Sequence, residues 1–212
     1  MRKAIFLGMA LVLAVTFAGC GGDGGPDLVL TDILSSGGAY DGDITYDSVL
    51  DSYSVYTAAD SPYTVMAGED PAVSGIEKRG FITFPISSIP PGAGIRSATV
   101  LLPIFSSQAI FPATSITLFV DMVTFPRLDT VLTQPDMAAY YDAAPILLGP
   151  SISVLSGFTG DKSFDATDAL NEVRDLGYST LQIRVTGSSG EVTIDDLDPS
   201  GLTPLLRVEY TR

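Results

Sequence analysis

In residues 180–186 every second side chain is apolar: Leu181, Ile183 and Val185 alternate with Gln182, Arg184 and Thr186. A period of two is the signature of a β-strand with one face on a core and the other in water. The same alternation closes the chain, where Leu206, Val208 and Tyr210 interleave with Arg207, Glu209 and Thr211. It recurs through residues 116–120, with Thr117 and Phe119 on the second face. Further strands are expected near residues 48–57, 80–86, 96–105, 152–158 and 191–195, separated by turn residues. Pro85 and Pro103 cannot donate to a ladder and are expected at edges, bulges or strand ends. Residues 165–177 alone follow a helical spacing, with Leu170, Val173 and Leu176 three apart. Asp165 or Thr167 can cap the start of that helix and Gly177 can close it. The expected fold is all-β: a jelly-roll-like antiparallel β-sandwich with one short helix.

Such a fold has to stand without cross-links. The chain has no histidine, and Cys20 is its one cysteine. That removes disulfides, His- or Cys-ligated zinc, haem and iron–sulfur sites, and every nucleophilic triad built on histidine. What remains is carboxylate chemistry, or calcium held by oxygen ligands. The 11 basic residues face 25 acidic ones, a net charge of −14, with no basic stripe. Nucleic acid is therefore not an expected partner.

The N-terminus points to export. Arg2 and Lys3 precede an apolar run over residues 4–18, broken only by Gly8 and Thr16, that ends in Phe17, Ala18, Gly19 and Cys20. The run is too short for a lone spanning helix and suits a signal peptide. Small residues just before a cysteine resemble the cleavage box of bacterial lipoproteins. That resemblance implies cleavage before Cys20 and acylation of it, which would anchor the chain in a membrane. Loss of Arg2 and Lys3 would leave 9 basic against 25 acidic residues, a balance of −16. The expected organisation is a signal peptide over residues 1–19, a lipidated Cys20 with a Gly-rich tether over residues 20–39, and one sandwich domain over residues 40–212. Gly21, in place of an acidic retention signal, favours the outer membrane by analogy.

Several segments, in order, carry a resemblance to a known family. Residues 79–93 read RGFITFPISSIPPGA and lead into Ile95, Arg96, Ser97, Ala98, Thr99 and Val100. Thr133, Gln134 and Pro135 follow; then Phe164, Asp165, Ala166, Thr167, Asp168, Ala169 and Leu170; then Pro204, Leu205, Leu206, Arg207, Val208, Glu209 and Tyr210. The ordered set resembles DNRLRE-type domains, which are related to carbohydrate-binding modules of the alginate-binding kind. The match departs at Pro85, where the family usually has Asp, and in the absence of any Trp. The resemblance implies a jelly-roll-like sandwich carried as an accessory module on secreted or surface proteins.

Candidate site residues are few. Tyr140 and Tyr141 lie in an expected loop, where they either stack on sugar rings or pack locally. Asp195, Asp196 and Asp198 either chelate calcium with nearby carbonyls or form a solvated acidic turn. The same two readings hold for Asp41, Asp43 and Asp47. Glu77 and Glu172 are carboxylates with no evident catalytic spacing, and no catalytic residue is expected. The expected function is a lipid-anchored, non-catalytic binding module of the cell envelope that takes a glycan or an envelope protein. A structural or adhesive role without a small ligand is the alternative, and a polysaccharide-active enzyme ranks last.

Overall fold

The alternating segments pair as the sequence dictates. The structure, a computed structural model, describes residues 14–15, 27–58, 63–131, 133–196 and 202–212. Its strands are β1 (Ala14–Val15), β2 (Leu28–Leu34), β3 (Gly42–Asp47), β4 (Ser52–Thr57), β5 (Thr64–Glu69), β6 (Ile76–Pro85), β7 (Gly94–Ala109), β8 (Ser115–Met122), β9 (Leu147–Leu155), β10 (Gly160–Asp165), β11 (Thr180–Ser188), β12 (Gly190–Asp195) and β13 (Leu205–Thr211). Two α-helices, α1 (Gln134–Tyr141) and α2 (Thr167–Asp175), and a 3-10 turn at Leu128–Thr130 complete the described residues. Every ladder is antiparallel, and the main path runs β1-β2-β13-β7-β12-β5-β6-β11-β8-β9. The chain is an all-β sandwich. One helix was expected; the second is α1.

Strand β7 joins the two layers. Its first half pairs with β13 and its last residues, from Ile104 to Ala109, pair with β12. Pro103, which has no N–H to donate, falls where one partner ends and the other begins. The ladder to β12 also shifts register there, between Thr193 and Ile194, as a bulge would. Pro85 is the last residue of β6.

The main core collects the inward set of each strand: Val100 and Leu102 of β7, Ile116 and Leu118 of β8, Leu181 and Ile183 of β11, Leu206 and Val208 of β13. Leu170 and Val173 of α2 close one end, while Leu176, expected beside them, is exposed. Gly177, at φ +77°, ends that helix: its N–H donates to Arg174 O and that of Tyr178 to Val173 O. Arg174 in turn donates to the carbonyls of Pro90, Pro91 and Ala93, fixing the proline turn between β6 and β7.

Two expectations are corrected here. Residues 28–34 are not tether: β2 pairs with β13 along its whole length, from Leu28 opposite Thr211 to Leu34 opposite Leu205. Its burial alternates as a strand's does: Val29, Thr31 and Ile33 face inward, with Thr31 and Ile33 buried, while Leu28, Leu30 and Leu34 are exposed. The second face of β11 is also not wet. Gln182 and Arg184 are buried, as is Phe81 on neighbouring β6. A second core of Ile44, Phe81, Phe125, Leu128, Met137 and Tyr141 lies over that face, under the segment that carries the 3-10 turn and α1. Gln182 holds this layer by donating to Phe125 O (2.9 Å) and accepting from Phe125 N (3.2 Å).

Replacing Gln182 by Ala leaves both Phe125 backbone groups buried without partners. Each such group costs about 1–3 kcal/mol. Urea unfolding of Gln182→Ala is therefore expected to show a loss of about 2–4 kcal/mol with an unchanged slope. A loss under about 0.5 kcal/mol, typical of a surface change, would contradict the buried second face.

Candidate functional site

Helix α1 is built onto the sheet by its ends. Thr133 Oγ1 accepts from Asp136 N at the first turn, with Pro135 just behind it. Gln134 reaches the outer edge of β4, donating to Tyr53 O and accepting from Tyr53 N, each at 2.6 Å. At the far end Arg79 and Arg184 both donate to Tyr141 O, a helix-terminal carbonyl that needs a donor. Arg184 is also paired with Asp121 at 3.1 Å. These contacts fix an aromatic cluster. Tyr141 packs against Tyr53 (centroids 5.3 Å apart) and Tyr46 (5.9 Å), and Tyr46 lies 4.8 Å from Tyr53. The Arg79 guanidinium sits 3.7 Å from the centre of the Tyr141 ring.

Of the expected aromatic pair, Tyr141 is thus buried, and burial pushes its phenol well up. Tyr140 is half-buried against the second core. The two do not form an exposed platform, because consecutive residues of a helix point in different directions. The partly open aromatic face belongs instead to Tyr46 and Tyr53, on either side of the β3–β4 turn.

Beside Tyr46 lies a cleft of about 580 Å³, between that turn and the β5–β6 turn. Its walls include Ser48, Glu69, Asp70, Ser74 and Glu77. Both turns are set by aspartates. Asp47 Oδ1 accepts from the N–H groups of Val49 and Leu50, and Asp70 Oδ1 from those of Ala72 and Val73. Ser48 N donates to Gly75 O and ties one turn to the other. Tyr46 Oη donates to Asp51 Oδ1 at 3.0 Å, which holds its ring beside the cleft and raises its pKa. Lys78 is engaged below, 2.6 Å from Glu191 and 3.8 Å from Asp70. The arrangement presents a phenol ring, hydroxyls and carboxylate oxygens to a shallow space, a set able to stack on and hydrogen-bond a polyhydroxylated ligand. Glu77 is paired with Arg79 at 3.2 Å, and Glu172 lies on α2.

Four of the aspartates expected in turns are buried. Asp196 is fully buried and Asp195 nearly so, at the end of β12; Asp198 lies outside the described residues, as does Cys20. Asp41 and Asp43 are buried as well, while Asp47 is half-exposed in its turn. Asp41 faces Asp196, and Asp43 lies near Lys78. Among the described residues there is no group of three or more acidic side chains suited to a metal. None of their helices is long and apolar enough to cross a membrane.

Sequence reasoning missed Tyr46 and Tyr53 because it drew one strand across residues 48–57. Asp47 and Asp51, turn formers between two tyrosines, were the available signal, and Asp51 does adopt φ +48°. Against known protein families and curated proteins, the chain has no match.

Burial pushes the Asp43 carboxyl up to about 7, against the opposing pull of Met66 N and Lys78. A raised folded-state pKa gives stability that is full below the unfolded value, near 4, and is lost as pH rises through about 7. Thermal melts from pH 4 to 9 are expected to show a fall in the wild type that is reduced in Asp43→Asn. Parallel pH profiles for the two proteins would rule this out.

Proposed function

We propose that this chain is a lipid-anchored, extracytoplasmic β-sandwich that acts as a non-catalytic binding module, with a neutral glycan in the Tyr46 cleft. The cleft carries the reading: an aromatic face next to serine hydroxyls and the carboxylates Glu69, Asp70 and Glu77. Carboxylates accept hydrogen bonds from sugar hydroxyls and repel anionic polymers, which matches the net charge of −14. The resemblance to DNRLRE-type domains supports the same role.

The position of the cleft fits a tethered module. Asp27, just before β2, lies beside the first residues of β7: Arg212 N donates to Asp27 O, and Thr211 pairs with Gly94. Ile110, which lines the cleft, follows the other end of β7. A strand of 16 residues spans up to roughly 50 Å. A lipid on Cys20 in the bacterial outer membrane would therefore hold the cleft away from the bilayer. The apolar residues at the same end favour a second reading, an envelope protein as the partner. Phe111 is 93% exposed, and Val49 and Leu50, in the β3–β4 turn, are exposed as well.

A glycan array probed with the purified chain, with and without calcium, is expected to show a neutral oligosaccharide whose binding falls at least about tenfold in Tyr46→Ala. Labelled palmitate is expected to enter the wild type and not Cys20→Ser. A blank array under both conditions would discard the glycan. A stoichiometric envelope protein lost with Phe111→Ala would put the second reading in its place.

A further inference from the structure

Two buried carboxylates away from the cleft lack a compensating charge. Asp41 and Asp196 are both 0% exposed. Among the described residues, no Lys or Arg forms an ion pair with either. Asp41 accepts from Thr83 N (2.8 Å) on one oxygen and from Gly37 N (3.0 Å) on the other. Asp196 Oδ1 accepts from Ser35 Oγ (2.8 Å) and Thr203 Oγ1 (3.0 Å), and those two hydroxyls lie 3.0 Å apart. Asp196 Oδ2 has no donor among the described residues, although it is wholly buried. Asp41, whose carboxyl faces it, could donate only if protonated.

Burying one unpaired carboxylate is expensive, and two that face each other repel as well. Repulsion by Asp196 adds to burial in raising Asp41, and burial raises Asp196. A shared proton would leave one negative charge in a site closed to water. A divalent cation would cancel both.

We infer that Asp41 and Asp196, with the hydroxyls of Ser35 and Thr203, hold a calcium ion between the segment that follows β2 and the end of β12. The donor set is all oxygen and irregular, which suits calcium better than the strict octahedron of magnesium. Each Asp41 oxygen keeps a lone pair beyond its N–H bond, and Asp196 Oδ2 keeps both of its own. The ion would clamp residues 35–41 and Thr203, ahead of β13, onto β12. This site is independent of the Tyr46 cleft and of what that cleft binds.

The test uses the full chain stripped with EDTA. Calcium at about a hundredfold its dissociation constant is expected to raise Tm by roughly 5–10 °C, with one ion bound per chain by titration calorimetry. Asp196→Asn is expected to abolish the shift, and Asp47→Asn, in the exposed turn, to keep it. If Asp196→Asn does not fold, the wild-type stoichiometry and Ser35→Ala, which removes a single hydroxyl ligand, still decide. A wild-type melt indifferent to calcium and EDTA would overturn the inference. So would a calcium shift retained in both Asp196→Asn and Ser35→Ala. A melt that ignores calcium but falls as pH rises, and flattens in Asp196→Asn, would give the pair a shared proton instead.

Discussion

The outer face of β6 and β11 is held shut by two polar side chains. Gln182 closes a pair of hydrogen bonds with the backbone of Phe125, and Arg184 gathers the carbonyls of Tyr141 and Ala143 with the Asp121 carboxylate. Without them the segment from Val123 to Ala143 would lose its side-chain hydrogen bonds to β11, and would keep the bonds of Gln134 to β4 and of Arg79 to Tyr141 O beside the apolar contacts of Phe81, Phe125 and Leu128. With them, a sheet that could have faced water becomes the middle of a three-layer arrangement. The aromatic cluster follows from that layer, because Tyr141 arrives over Tyr46 and Tyr53 only when α1 is in place.

This explains how far the sequence could be read. Alternation located β8, β11 and β13, since one face of each meets the main core and the period of two is unambiguous. It misled on the other face of β11. A glutamine and an arginine read as solvent-facing until the chain that covers them is known, and the nearest backbone they bind lies some forty to sixty positions away in sequence. β6 is a counterpart: Phe81, Ile82, Thr83 and Phe84 are all buried, so it is a continuous buried run rather than an alternating one.

The helices show a similar limit. α2 was legible because Leu170 and Val173 give it an apolar stripe on an otherwise polar segment. α1 buries only Met137 and Tyr141, one turn apart, and its hold on the sheet comes from Gln134 and from arginines on other strands. Its local cues, Thr133 followed by Pro135 and Asp136, are those of a helix start. β2 was hidden by the glycines before it, and its partner is the last strand of the chain. The buried aspartates could not be told from turn aspartates, because the sequence carries their charge but not their neighbours.

The binding reading rests on Tyr46 beside the cleft, with the Tyr53 ring packed against it, and ring resonances report on both directly. Titrating a neutral oligosaccharide into protein labelled on tyrosine is expected to shift the ring signals of Tyr46 and Tyr53 and leave the core residue Tyr210 unmoved. Tyrosine rings unmoved at saturating ligand, or shifts confined to residues around Phe111, would contradict a sugar in the Tyr46 cleft.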